Sequence, residues 1–245
     1  MLKSLLYLLL PCFFVLLLTE PAPAQEAKTD FYTLLSSLLQ RHVQQGQVNY
    51  KSLQQDKNKL QQLVKQIANY NLKGAGEAEV KAFYLNAYNL LVLQQVLENY
   101  PLKSVMDVEG FFDKKKHLVA GQSLTLNELE KQKLMKPFQD ARLHFALVCA
   151  AKSCPPLLNQ AYTPDRVEKQ LQEQTVRTLQ SSEFIRVQPA SKRVLVSEIF
   201  SWYKDDFLRE APSIAGYINR YRKTALPARY SLGYYNYDWK LNDVK

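Results

Sequence analysis

Phe31, Leu34, Leu35, Leu38 and Leu39 recur at i, i+3, i+4, i+7 and i+8. That stripe predicts an amphipathic helix, capped by Thr29 or Asp30 and ended by Gly46. Leu60, Leu63, Val64 and Ile67 repeat the pattern with Gln and Lys on the wet side, and Gly74-Ala75-Gly76 reads as a loop. From about Glu77 to Asn99 the polar stripe almost vanishes, because Val80, Phe83, Tyr84, Ala87, Tyr88, Leu91, Val92 and Val96 cover most of the circumference. A helix apolar nearly all round is central, and Pro101 stops this one. Asn86 and Asn89 sit in its middle on one face, where a buried amide needs partners. Such amides either bond buried loop backbone or point at a reacting carbonyl or a histidine; Asn86 is the candidate for the second role.

Asp107 to Gly121 reads as a loop or short hairpin, with His117 as a solvated residue of its Lys-rich part. Leu124 to Met135 predicts a short helix bearing Glu128 and Glu130, which are two apart and cannot share a face. Leu143, Phe145 and Leu147 alternate with His144, Ala146 and Val148, which predicts a buried strand with His144 on one face. Thr163-Pro164-Asp165 opens a helix reaching about Ser181. Phe184–Val187 and Arg193–Val196 alternate around Pro189-Ala190-Ser191 as a β-hairpin. Ser197 and Pro212-Ser213 start two more helices, and the aromatic tail from Tyr230 to Trp239 reads as a closing strand. Helices followed by a hairpin predict an α+β fold, helix-rich with a small antiparallel sheet. No repeat or long linker divides residues 25–245, so one domain is expected there.

The first 24 residues change the picture. Lys3, the apolar run Leu5–Leu18 and the small-residue pattern Ala22-Pro23-Ala24 read as a signal peptide cleaved after Ala24. A periplasmic or secreted protein with no membrane span after cleavage is expected, because the run is shorter than the ~20 residues a span needs. The net charge of +9 is scattered, apart from Lys114-Lys115-Lys116. It favours anionic neighbours such as an envelope, and no basic helix or zinc-finger spacing points to nucleic acid.

The chemistry concentrates in residues 143–157. Cys154 precedes Pro155-Pro156, which restricts its backbone and aims its thiol from a turn. Beside a strand-borne His144 this is a geometry for a Cys-His pair, while Cys149 reads as a small core residue. Two alternatives compete. A Cys149–Cys154 disulfide would block the nucleophile. A metal site from His144, Cys149 and Cys154 would have three ligands at H-x4-C-x4-C spacing, where structural zinc takes four. No metal or other cofactor is expected.

Several motifs together resemble the DUF547 family, a domain of poorly defined function. They are Gly46-Gln47-Val48-Asn49-Tyr50, Phe83–Asn89, Leu126–Glu130, the stretch around Cys154, Ser197-Glu198-Ile199-Phe200 with Trp202-Tyr203, Asp205-Asp206-Phe207 and Tyr237-Asp238-Trp239. The resemblance implies a papain-like cysteine-hydrolase fold, permuted or divergent because the acid–His–Cys order differs from papain's. It also implies a catalytic set of Glu130, His144 and Cys154; the spacing alone does not choose between Glu128 and Glu130. A thiol with pKa near ~8.5 needs an imidazolium beside it to ionise at neutral pH, and the imidazole needs a carboxylate to orient it. The expected reaction is acyl transfer through a thioester: hydrolysis of a peptide, protein or envelope amide, deamidation, or transfer to an amine. The alternative is a non-catalytic binding module on the same fold.

Overall fold

A computed structural model describes residues 23–244. Residues 1–22, which hold most of the expected signal peptide and Cys12, lie outside the described residues. Among those described, no helix is long and apolar enough to cross a membrane.

The first helix, α1, is Pro23–His42, so Thr29 and Asp30 lie inside it rather than capping it. It ends four residues before Gly46, because the chain folds into the hairpin β1 (Val43–Gln44) and β2 (Gln47–Val48). Gln45 and Gly46 form its two-residue loop with φ of 51° and 87°, the I′ pattern that matches strand twist. After a short α2 (Tyr50–Leu53), the second amphipathic stripe forms α3 (Lys57–Ala68).

The central helix α4, Glu77–Glu98, is buried on every side from Lys81 to Leu93. Its amides act as clamps on neighbouring backbone. Asn86 donates to Tyr162 O at 2.7 Å and accepts from Tyr162 N at 2.9 Å. Asn89 donates to Ala146 O at 2.9 Å and accepts from Val148 N at 2.9 Å. Gln95 donates to Phe111 O at 2.7 Å. Each pairing satisfies a peptide group that burial would otherwise leave unpaired.

The hairpin β3 (His117–Val119) and β4 (Gln122–Leu124) packs beside α3 and α4. His117 is buried there rather than solvated, with Nε2 2.7 Å from Gln95 Oε1. Period-2 alternation turns it inward although its chain neighbours are lysines. A helical run follows: α5 (Leu126–Glu128), a π-helical turn (Leu129–Met135) and α6 (Lys136–Phe138). Thr125 and Glu128 form a capping box at its start.

The predicted strand at His144 is instead a 3-10 helix, Ala141–Phe145. An apolar run buried on all sides carries no readable period. Local polar bonds decide: Asp140 caps the turn by accepting from Arg142 N at 3.0 Å, and Ala141 N donates to Glu210 Oε1 at 2.8 Å. Arg142 and the buried Lys81 both reach Glu168, at 2.5 Å each, which ties this turn to α4 and to α7 (Val167–Gln180). Thr163 O accepts from Arg166 N and Val167 N, and α7 itself begins three residues later than Pro164, the first helical position the sequence pattern indicated.

The hairpin β5 (Ile185–Gln188) and β6 (Arg193–Ser197) forms as expected. The closing strand β7 (Ser231–Tyr235) joins β6 in parallel, making a mixed three-stranded sheet. Three helices, α8 (Ile199–Trp202), α9 (Lys204–Glu210) and α10 (Ile214–Asn219), lie between them in sequence. The result is a helix-rich α+β protein with small sheets. Its buried apolar residues form two cores, one built on α1, α3 and α4, the other on the three-stranded sheet, α8, α9 and α10. Cys154 and Trp239 pack against both.

Candidate functional site

Between the two cores lies a cavity of about 370 Å³, with Glu130, His144, Cys149 and Cys154 in its wall. Each arrives by a different local device. The π turn has one residue more than an α turn, and it turns Glu130 inward while Glu128 stays outside, paired with Lys116. Burial pushes the Glu130 carboxyl above its ordinary range, against the opposing pull of the His144 charge and of hydrogen bonds from Tyr203 and Tyr88. The Tyr203 hydroxyl donates to Glu130 Oε1 at 3.1 Å.

His144 is held by Asp206 rather than by Glu130. Its Nε2 lies 2.7 Å from Asp206 Oδ2, and its ring packs on Tyr203 with centroids 4.0 Å apart. The bond to His144 is the largest of the effects that hold the Asp206 carboxyl below its ordinary range, and Arg209 assists from 2.6 Å. Nδ1 of His144 makes no hydrogen bond among the described residues.

Cys149 and Cys154 are joined as a disulfide in the cavity wall. The Cys154 sulfur also accepts from Cys149 N at 3.0 Å and from the Tyr237 hydroxyl at 3.1 Å. The loop between the cysteines is held under backbone strain, with Ala150 at φ 62°. The C-terminal segment straps it down: Ala150 O accepts from Asn242 N, Lys152 N donates to Lys240 O, and Ser153 N donates to Asp238 O. The same segment brings Trp239, which stacks with Trp202 at 5.9 Å and lines the cavity.

Asn86 does not line this cavity, because both ends of its amide are engaged by Tyr162. Tyr88, two residues along α4, does. Asp206, Tyr203 and Tyr237 escaped the sequence reading as site residues, although each falls in a motif of the resemblance; nothing in those motifs marks a side chain as reaching His144 or the sulfur. A second polar set also escaped. His42 has Nδ1 2.5 Å from Ser52 Oγ and Nε2 2.9 Å from Asp56 Oδ2. This Ser–His–Asp chain lines no cavity described here, and Asp56 is further tied to Arg41 and Lys59, so it fastens the end of α1 to the segment after α2. Among the described residues no group of three or more His, Cys, Asp and Glu side chains is placed to hold a metal ion.

The fold and the cavity define a class: a helix-rich α+β protein with a disulfide set beside a His–Asp pair and a buried carboxyl. Residues 72–178 match the family model described as "Protein of unknown function, DUF547". The match includes Glu130, His144 and both cysteines; Tyr203, Asp206 and Tyr237 lie beyond it. No curated protein and no solved structure matches the chain.

Proposed function

We propose that the cavity is a thiol-dependent acyl-transfer site, resting as the Cys149–Cys154 disulfide and opened by a dithiol that donates two electrons and two protons to it. The observation that carries this reading is the environment of the Cys154 sulfur. It accepts from a backbone N–H and a tyrosine O–H, in the same cavity as a histidine oriented by Asp206. Those donors stabilise a thiolate more than a thiol. The thiolate attacks the carbonyl carbon of an amide or ester. A C–S bond forms, the bond to the leaving group breaks, and the His144 imidazolium supplies the proton the leaving amine takes. Water, or a second amine, then cleaves the thioester, with His144 taking its proton.

In this reading Asp206 orients His144. Glu130, whose carboxyl burial pushes above its ordinary range, lines the cavity beside Tyr203 rather than serving as the partner of His144. A permuted or divergent papain-like arrangement belongs to the same proposal, supported by the position of the cavity at the seam of two cores. So does export to an oxidising compartment, where a bridge of this kind persists. The substrate is then a peptide, protein or envelope amide met outside the cytoplasm. The rival is a non-catalytic binding module, favoured by the bridge itself, which occupies the nucleophile.

The test is the rate of iodoacetamide labelling against pH, with and without reductant, for the protein and for Cys149→Ala and His144→Ala. The expected result is no labelling of the parent or of His144→Ala before reduction, labelling of Cys149→Ala without it, and in the parent after reduction a fast site at Cys154 titrating well below ~8.5. Losing His144 should move that midpoint up. A reduced Cys154 that labels as an ordinary thiol and ignores His144 would hand the cavity to the binding module.

A further inference from the structure

Cys154 and Pro155 line two cavities. The second, about 480 Å³, has a different chemistry from the aromatic one that holds His144. Its wall carries Lys152, Arg177 and Arg186, opposed by Glu183 and Asp238. Lys152 and Arg177 are exposed and form no ion pair among the described residues. Arg186 lies 3.7 Å over the Tyr235 ring, which holds the guanidinium without neutralising it. Asp238 is turned into its own loop, accepting from Lys240 N at 3.1 Å. Thr178, buried in the same wall, has a hydroxyl with no hydrogen-bond partner among the described residues.

Cys154 stands at the divide, lining both cavities, so on the proposed mechanism a substrate attacked there has one half on each side. The leaving amine must be near His144 to take its proton, which assigns the leaving half to the aromatic cavity. The acyl half then extends into the polar one. We infer that this polar cavity is an acyl subsite selecting acyl groups that carry a free carboxylate, recognised by Lys152, Arg177 and Arg186. The inference rests on Cys154 being the nucleophile. It makes the substrate an amide or ester whose acyl half is anionic and whose leaving half is flat or apolar enough to lie among Tyr88, Trp202 and Trp239.

Iodoacetate and iodoacetamide differ chiefly in one negative charge, and both report on Cys154 directly. Their rates at Cys154 of the reduced protein, each divided by the rate at free cysteine, give a preference ratio. The expected ratio favours iodoacetate. It should fall by about three- to fivefold in Arg177→Gln and again in Lys152→Gln, as expected for removing a unit charge near the reagent in water, and it should shrink with salt. Lys73→Gln removes the same charge from a residue lining neither cavity and should keep the ratio. Fast iodoacetamide labelling with an ordinary ratio, or a ratio that Lys73→Gln lowers as much as Arg177→Gln, overturns the subsite and leaves the thiolate standing. Slow labelling by both reagents in reduced protein overturns the nucleophile and the subsite with it.

Discussion

Nε2 of His144 sits 2.7 Å from Oδ2 of Asp206, and the two residues are 62 positions apart in the chain. The contact fixes the ring from the α9 side. If His144 raises the thiolate fraction of Cys154, Asp206 does so at one remove. Asp206→Asn should therefore fold, yet move the labelling midpoint of reduced Cys154 toward ~8.5 and slow labelling at neutral pH by about tenfold. An unchanged profile would remove Asp206 from the positioning role. The pairing also has a stability signature. The folded carboxyl titrates below its ordinary value of 3.8, so its contribution is present above that value and lost as pH falls through the lowered one. Asp206→Asn should flatten that acid limb.

Glu130 has the opposite sign. Its folded carboxyl titrates above the ordinary 4.5, because burial disfavours the charged form. Below 4.5 both folded and unfolded chains hold the proton. As pH rises past 4.5 the unfolded chain ionises first, so stability declines until the folded pKa is reached and then levels off. Glu130→Gln keeps an acceptor for Tyr203 without the charge. It should raise the melting temperature at neutral pH and change it little at pH 4, with about 2–4 °C gained per kcal/mol recovered in a chain of this size. Thermal denaturation at the two pH values checks this. A variant equally or less stable at both would mean that ionised Glu130 is tolerated.

The central helix was legible in the sequence because its apolar residues covered nearly the whole circumference, a pattern only a buried helix satisfies. The β5–β6 hairpin was legible because its alternation is interrupted by a proline-bearing turn. The segment around His144 was not. Every residue from Ala141 to Phe145 except Arg142 is buried, so burial imposed no period, and the choice between strand and 3-10 turn lay with Asp140, Arg142 and Glu210. Cys154 could be singled out by Pro155-Pro156. Asp206 could not, because adjacent acids at the start of an exposed helix are already explained by the helix dipole. His117 was misread because its lysine neighbours lie in the turn and coil before β3, whereas the alternation of β3 itself turns His117 inward toward Gln95.

The burial of His117 has a measurable consequence. Burial, with Lys115 nearby, lowers the His117 pKa from 6.5 to about 4. The unfolded chain therefore takes up a proton between those values that the folded chain refuses, and stability falls as pH drops through that window. His117→Gln removes the titrating group and retains a hydrogen-bonding side chain for Gln95. The slope of unfolding free energy against pH should lose about one proton in that window. Urea unfolding at a series of pH values measures the slope. An unaltered slope would mean that His117 binds its proton equally in both states.

Gly46 couples the first hairpin to the proposed nucleophile. A Cβ added there would lie 2.2 Å from Pro156 Cβ and 2.6 Å from its Cα, and φ at Gly46 is +87°. Neither the proline backbone nor the turn yields cheaply, because Gly46 O also accepts from Leu157 N at 3.2 Å. Gly46→Ala therefore combines an unfavourable backbone conformation with a collision against a rigid ring, and should cost about 2–4 kcal/mol. Because Pro156 stands two residues from Cys154, relief of the clash must displace the turn that aims the sulfur. The reduced variant should label more slowly at Cys154 under conditions where circular dichroism shows it folded. Gln45→Gly, which eases the other positive φ of the same turn without approaching Pro156, should leave labelling unchanged. If both variants label like the parent, the hairpin does not position the thiol and Gly46 serves the turn alone.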